Sequence, residues 1–569
     1  MNVISKRKKD MQKLKWFFIL IFFNLIVYNY VISEKDKYSA YGINSWFWDL
    51  GTINYLKKAH ILNYRIMVPW RCLEEQKNVY VWDGIKGSDR ASDFEANLVN
   101  LKAANRDAKE KIKLSLCVYD SPFWARKNPK KVLSYKPEDY RDFLISVLKY
   151  CEQIAPGMIE AVEIENEEPT GGWLDDELPV HGTDQRDPSQ YYADILKIAY
   201  TTVKSFNPNI IVVLDGIWFS AFHHLDELYQ LGCKGYFDRV NLHYYVGLEL
   251  VHSRNMFDDP PPDDKHGIWH LPTLLYYMKY IMLQNNDDHP VWITEFNWPG
   301  RDAKNKAKYL EKFLDICRKS GVVERVNYYM AIDPKSDLKY RGIWPKGMIL
   351  VDRLGDTPED IDENTAKQIA NLNVPIGYTP TEPYYKFREY TEKYPVWDKS
   401  QIEILDIITP ADSDAVIINH DFESGDKTGW KGDFIIDSKE KHTGNFAAKI
   451  YVSSGSIISE QFNVEPNKLY ELSFWIKVNT EKIDDGICLP GIEYIDKTGE
   501  IVVPEVLNCW GIVDTRRYPN GWRKMVIPIM PVDEYCRLKF EFQGKGEMFV
   551  DDIKMVKLDL KKISSLIRP

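Results

Sequence analysis

The sequence lacks several signatures that would settle a function quickly. Its 8 cysteines (Cys72, Cys117, Cys151, Cys233, Cys317, Cys488, Cys509 and Cys536) include no C-x-x-C pair and no metal-finger spacing, which removes the common zinc and dithiol classes. Cys117 and Cys317 lie in apolar runs and read as small buried hydrophobes. Cys488 and Cys509 could pair in an oxidising compartment, a pairing that the spacing alone leaves open. No P-loop and no dinucleotide-type glycine pattern stands between a strand and a helix. Basic charge is also short. With 74 Lys and Arg against 84 Asp and Glu, the formal net charge is −10. Residues 1–33 carry six basic side chains against Asp10, so they hold +5 and leave −15 for the body. An acidic body excludes a nucleic-acid partner, whose phosphates demand basic patches.

A long membrane-spanning run is missing too. Trp16–Val31 follows Lys6, Arg7, Lys8, Lys9, Lys13 and Lys15 but has only sixteen residues, short of the roughly 20 that cross a bilayer. A basic stretch, an apolar stretch and then Val31-Ile32-Ser33 read as a signal peptide over residues 1–33, cleaved in preference to retained as a membrane anchor. Either reading predicts a secreted or cell-surface body. What is abundant is aromatic: 13% of the chain, with 17 Trp and 35 Tyr. Flat rings stack on sugar C–H faces, although large cores also consume them. At 569 residues, the chain exceeds one core and predicts two or more domains.

After the leader, apolar runs alternate with amphipathic stretches. The predicted strands are Tyr41–Phe47, Tyr64–Trp70, Ile112–Tyr119, Ala161–Glu167, Ile210–Gly216, Val240–Tyr245, Val291–Asn297 and Arg325–Ile332. The predicted helices are Asp49–His60, Asp93–Arg106, Pro137–Gln153, Pro188–Phe206, Ser220–Leu231, Leu271–Gln284, Ala303–Lys319 and Glu382–Lys393. Eight such units over residues 38–395 predict a (β/α)8 TIM barrel, whose active groups sit at strand carboxyl ends.

Two stretches place lone carboxylates there. Val162–Pro169 (VEIENEEP) sets Glu163, Glu165 and Glu167 on one face of a strand by period-2 geometry. Val291–Pro299 (VWITEFNWP) ends with Glu295. A solvated edge strand would also explain the first stretch alone. A pair of strand-end carboxylates 128 residues apart is what a retaining glycosidase uses as acid/base and nucleophile.

With Glu163-Ile164-Glu165-Asn166-Glu167 and Ile293-Thr294-Glu295-Phe296 in place, residues 38–395 resemble the clan A retaining glycoside hydrolases, notably the beta-xylosidase-like and cellulase-like branches. Arg65, His243, Tyr245 and Ser121-Pro122-Phe123-Trp124-Ala125 match as well, and Gly347–Leu354 resembles the return segment before the last helix. The resemblance implies Glu167 as acid/base, Glu295 as nucleophile, and Asn166, Arg65, His243, Tyr245, Trp298 and Trp124 as substrate-binding residues. It implies an oligosaccharide or polysaccharide substrate and no required cofactor. Two departures stand out. Glu168 intervenes before Pro169, so a shifted register would make Glu168 the acid. The family's tryptophan after strand eight has no clear counterpart, with Tyr328, Tyr329 or Trp344 as stand-ins. A non-catalytic sugar-binding barrel and a transglycosylase remain the competing readings.

Residues 396–414 read as a linker. From 415 to 558 short strands with glycine turns predict an all-β jelly-roll sandwich. The opening Asn419–Gly425, the run Tyr470–Val478 and the closing Phe549–Ile553 resemble a carbohydrate-binding module of the xylanase-associated type. That resemblance implies a structural calcium held through Glu423 and Asp552.

Overall fold

The computed structural model describes residues 39–45, 48–83, 94–126, 134, 136–167, 188–218, 222–245, 270–297, 303–334, 348–353, 375–403, 405–451, 454–479, 486–506, 521–544 and 546–566. The leader, Glu168, Trp298, Trp344 and Cys509 lie outside the described residues.

Parallel strands form the first part. They are β1 (Tyr41–Ser45), β2 (Asn63–Pro69), β3 (Lys113–Tyr119), β4 (Ile159–Ile164), β5 (Ile211–Val213), β6 (Ile217–Trp218), β7 (Val240–Tyr245), β8 (Val291–Asn297) and β9 (Val323–Tyr328). Their lateral order is β5-β4-β3-β2-β1-β9-β8-β7-β6. β5 pairs with β4 and β6 pairs with β7, and only Leu214–Gly216 separates the two. They are halves of one barrel strand, so the sheet closes on itself through a short break. That makes an eight-strand parallel barrel. Side chains of β1, β2, β7 and β8 are buried along the whole strand, as expected where both sheet faces are covered.

The covering helices are α1 (Leu50–Lys58), α2 (Phe94–Asn105), α3 (Pro137–Ile154), α4 (Pro188–Phe206), α5 (Phe222–Gln230), α6 (Leu271–Gln284), α7 (Ala303–Ser320) and α8 (Glu382–Lys393). α3 shows why these segments are helical. Pro137 opens it where a missing N–H costs nothing, Glu138 and Asp139 face the positive end of its dipole, and Tyr140, Phe143, Leu144, Val147, Leu148 and Cys151 form its buried stripe. Between β9 and α8 lies a three-stranded sheet of β10 (Ile332–Pro334), β11 (Ile349–Arg353) and β12 (Pro375–Pro380). Sequence periodicity did not anticipate it as a sheet. Cys72, Cys117, Cys151, Cys233, Cys317 and Cys536 are buried. Among the described residues, no helix is long and apolar enough to cross a membrane.

The C-terminal part contains two antiparallel sheets. One has the order β13-β16-β22-β19-β20 with β17 beside β22; the other is β14-β15-β23-β18-β21. The strands are β13 (Trp430–Lys431), β14 (Ile435–Asp437), β15 (Ala447–Ile450), β16 (Ser454–Ser459), β17 (Phe462–Asn463), β18 (Tyr470–Asn479), β19 (Gly486–Ile495), β20 (Ile501–Val506), β21 (Arg523–Ile529), β22 (Tyr535–Gly544) and β23 (Glu547–Lys557). Along β18, burial alternates strictly. Its inner residue Phe474 meets Phe540 of β22 edge-on, with centroids 5.1 Å apart, so the two sheets share a core. The outer face of β18 turns to the barrel: Tyr277 of α6 donates to Glu471 Oε2 at 2.9 Å. Arg523 of β21 pairs with Glu227 of α5.

Phe474→Ala is expected to cost about 3–5 kcal/mol by opening a cavity between the sheets. Urea denaturation followed by tryptophan fluorescence checks it; a loss below about 1 kcal/mol would contradict this packing.

Candidate active site at the carboxyl end of the barrel

Side chains from five strands hydrogen-bond to one another across the barrel, so they point to its axis. Arg65 of β2 is fully buried. Its Nε and Nη2 donate to the two oxygens of Glu163 on β4 at 2.8 and 2.7 Å. Its Nη1 donates to Glu295 Oε1 of β8 at 2.6 Å and to Asn44 Oδ1 of β1 at 2.9 Å. Nη2 also reaches Asn166 Oδ1 at 2.7 Å. One guanidinium therefore serves two buried carboxylates, the condition under which such charges are tolerated in an interior.

Glu295 stands beside His243 in the β7–β8 register. Tyr245 donates to Glu295 Oε2 at 2.5 Å. Burial pushes the Glu295 carboxyl up, but His243, Arg65 and the Tyr245 hydroxyl outweigh it and hold the group below its usual range. Burial together with the adjacent Glu295 drives the Tyr245 hydroxyl far up, so it stays a donor.

Glu167 belongs to the other side. The predicted fourth strand ends three residues early, at Ile164, because Glu165 and Glu167 both take left-handed backbone conformations (φ 63° and 54°). The alternation of faces stops there. Glu163 points at Arg65, whereas Glu165 is buried with its Oε2 accepting from the Asp120 amide at 3.3 Å. The turn brings Glu167 Oε1 to 2.6 Å from His243 Nδ1. Ligating atoms of Glu167, His243 and Glu295 all lie within 4.8 Å of one another. Such a trio could hold a cation, yet Arg65 and Tyr245 already occupy both Glu295 oxygens, and a guanidinium at 2.6 Å opposes a second positive charge. The geometry favours an organic substrate.

The structure thus brings Arg65, Asn166, Glu167, His243, Tyr245 and Glu295 together. Trp124 lies just after β3: its indole donates to the Glu74 carbonyl, it meets Trp70 edge-on at 5.7 Å, and Lys77 covers its ring at 5.4 Å. Of the two tyrosines after strand eight, Tyr328 packs outward against Phe296 and Phe387. Tyr329 meets Tyr245 edge-on at 6.1 Å, on the side of the site. Sequence reasoning gave no role to Glu163, Asn44, Asn241 or Thr294. A carboxylate among the apolar residues of a barrel strand was the available signal for Glu163.

In the C-terminal sheets, Glu423 accepts from the Asn445 and Phe446 amides and from Asn445 Nδ2 at 2.7–3.0 Å. Asp552 accepts from His442 Nδ1 and the Thr443 hydroxyl at 2.7 and 2.8 Å. The two carboxylates grip one loop and repel each other electrostatically. Oxygen donors of like charge are a set that calcium suits.

Arg65→Met should leave Glu163 and Glu295 buried without a counter-charge and destabilise the chain by about 3–5 kcal/mol at pH 7. Glu295 has its carboxyl held below 4.5. The stability from that pairing is complete above about pH 4.5 and lost as pH falls through the lower folded value, so the penalty of the variant narrows in acid. Denaturation of both proteins at pH 7 and pH 4 checks sign and window.

No family model matches the chain, and no curated protein does. Among solved structures it is similar to a family 39 glycoside hydrolase from the gut symbiont Bacteroides cellulosilyticus, at 14% identity over 90% of this chain and 82% of that one, TM-score 0.39. It is also similar to an exo-beta-1,4-mannosidase from an Opitutaceae bacterium, at 12% identity over 63% and 59% of the two chains, TM-score 0.42. A GH30 endoxylanase from Clostridium papyrosolvens aligns at 12% identity over 89% and 96%, TM-score 0.38.

Proposed function

We propose that the chain is an exported retaining glycoside hydrolase that cleaves β-linked glycans or glycosides, with Glu295 as nucleophile and Glu167 as acid/base. The observation that carries this reading is the spacing. One oxygen of Glu167 and one of Glu295 lie within 4.8 Å of each other, which fits the roughly 5–5.5 Å between the carboxyl groups of retaining enzymes better than the roughly 6.5–9.5 Å that leaves room for water in inverting ones.

The surroundings supply the required asymmetry. Arg65 and Tyr245 keep Glu295 ionised and aimed. In the first step Glu295 attacks the anomeric carbon while Glu167 gives its proton to the departing oxygen, leaving a covalent glycosyl-enzyme. In the second, Glu167 takes a proton from water, whose oxygen displaces Glu295 at the same carbon. Asn166 gives its Oδ1 to Arg65, which frees its amide N–H to donate to the sugar 2-hydroxyl. His243 lines the reacting subsite. Trp298 and Trp124 are further candidate sugar contacts.

Export rests on the basic and apolar leader over residues 1–33. The sheets from 415 to 558 form, in this proposal, a jelly roll of carbohydrate-binding type, joined by residues 396–414. Calcium would be held there by Glu423 and Asp552 and would stiffen the 442–446 loop; added calcium should then raise the thermal midpoint and a chelator lower it, whereas identical midpoints would remove the ion.

Turnover of a panel of aryl β-glycosides tests the reaction. Glu295→Ala should abolish it. Glu167→Ala should lower it about 10²–10⁴-fold, with azide restoring turnover as a glycosyl azide of retained configuration. Activity surviving in Glu295→Ala would sink the assignment. Intact polysaccharide binding without turnover would favour the sugar-binding reading, and transfer to a sugar in preference to water the transglycosylase. Because Glu295 is held below the usual carboxylate range, the acid limb of kcat/KM should fall below about pH 4.5.

A further inference from the structure

The contact between His243 Nδ1 and Glu167 depends on which imidazole nitrogen carries hydrogen, and residues outside the carboxylate pair decide that. Asn241 Nδ2 donates to the Leu214 carbonyl at 3.1 Å, which orients the amide and turns its Oδ1 to Thr294. That oxygen accepts from the Thr294 amide at 3.1 Å and from its hydroxyl at 2.9 Å. The alternative acceptor of the hydroxyl, Glu163 Oε1 at 3.4 Å, would also take its single proton. With that hydroxyl donated to Asn241, Thr294 Oγ1 has only lone pairs to offer His243 Nε2, 2.9 Å away, and Nε2 is then the nitrogen that bears hydrogen. Gly216 makes room for the ring: a Cβ there would lie 2.2 Å from Nε2.

We propose that Thr294 and Asn241 are positioning residues that fix the tautomer of His243 and thereby govern the proton supplied at Glu167. The purpose of that proton rests on the glycosidase reading; the tautomer does not. With Nε2–H aimed at Thr294, Nδ1 faces Glu167 at 2.6 Å, so a proton shared between them sits on oxygen or on nitrogen. The charged groups facing the ring are Glu167 and Glu163 from the β4 segment, Glu295 from β8 and Arg65 from β2. Burial disfavours the imidazolium, but Glu295 and Glu167 outweigh it and lift His243 above its ordinary value. An acceptor on Nε2 supports the same charged form. An imidazolium beside Glu167 can return a proton to the carboxyl through the Nδ1 contact, which matters most for leaving groups that must be protonated.

Histidine ring-¹⁵N NMR on the full chain tests this, with His243→Gln assigning the signal. Wild type should show the Nε2–H tautomer when neutral. Thr294→Val should mix the tautomers and lower the titration midpoint by about one pH unit, Asn241→Leu should shift it in the same direction, and Thr294→Ser should restore it. With an active substrate, Thr294→Val should move the basic limb of kcat/KM to lower pH. It should cost about 10–100-fold on alkyl glycosides and under about threefold on dinitrophenyl glycosides. An unchanged tautomer and midpoint in a folded Thr294→Val, or equal losses on both substrate classes, would overturn the proposal. If wild type turns over no glycoside, the glycosidase reading falls while the NMR titration still decides this one.

Discussion

Everything at the carboxyl end of the barrel depends on one buried cation. A guanidinium without solvent is tolerated only where anions surround it, and Arg65 meets Glu163 through two donors and Glu295 through a third. Glu163 takes the bidentate contact, so it holds Arg65 in plane. What remains of its donor fork fixes Glu295 and Asn166. Holding Arg65 through Glu163 lets the same cation orient Glu295 without depending on it for position.

The two carboxylates consequently differ in kind. Glu295 is immobilised between a cation and a phenol and stays ionised. Glu167 sits on a turn whose left-handed residues release it from the strand, and it meets an imidazole. A fixed anion beside a carboxyl in contact with histidine is the asymmetry on which the proposed double displacement rests.

How legible was this in the sequence? Barrel elements were, because covered strands and amphipathic helices write their periods plainly; Pro188–Phe206, Leu271–Gln284 and Glu382–Lys393 form the helices that periodicity predicts. The end of β4 was not, since a left-handed turn at Glu165, which is not glycine, leaves no compositional mark. β10–β12 were hidden because strands from separate stretches pair only in three dimensions. Among the site residues, charged ones announced themselves by standing in apolar runs. Thr294 and Asn241 did not: both are ordinary strand residues until one knows that β7 and β8 set them beside the His243 ring.

The break in the barrel's fifth strand follows from the same ring. His243 is completely buried and pairs in register with Trp218 of β6, so the imidazole presses on the backbone just before β6. A side chain at position 216 would enter the ring, and only glycine lets the backbone pass so closely. The carbonyl of Leu214, released from strand pairing in that break, is the acceptor that turns the Asn241 amide. The interruption therefore gives the imidazole its space and anchors the hydrogen-bond chain that assigns its proton. A continuous fifth strand would close the barrel more regularly and would remove both.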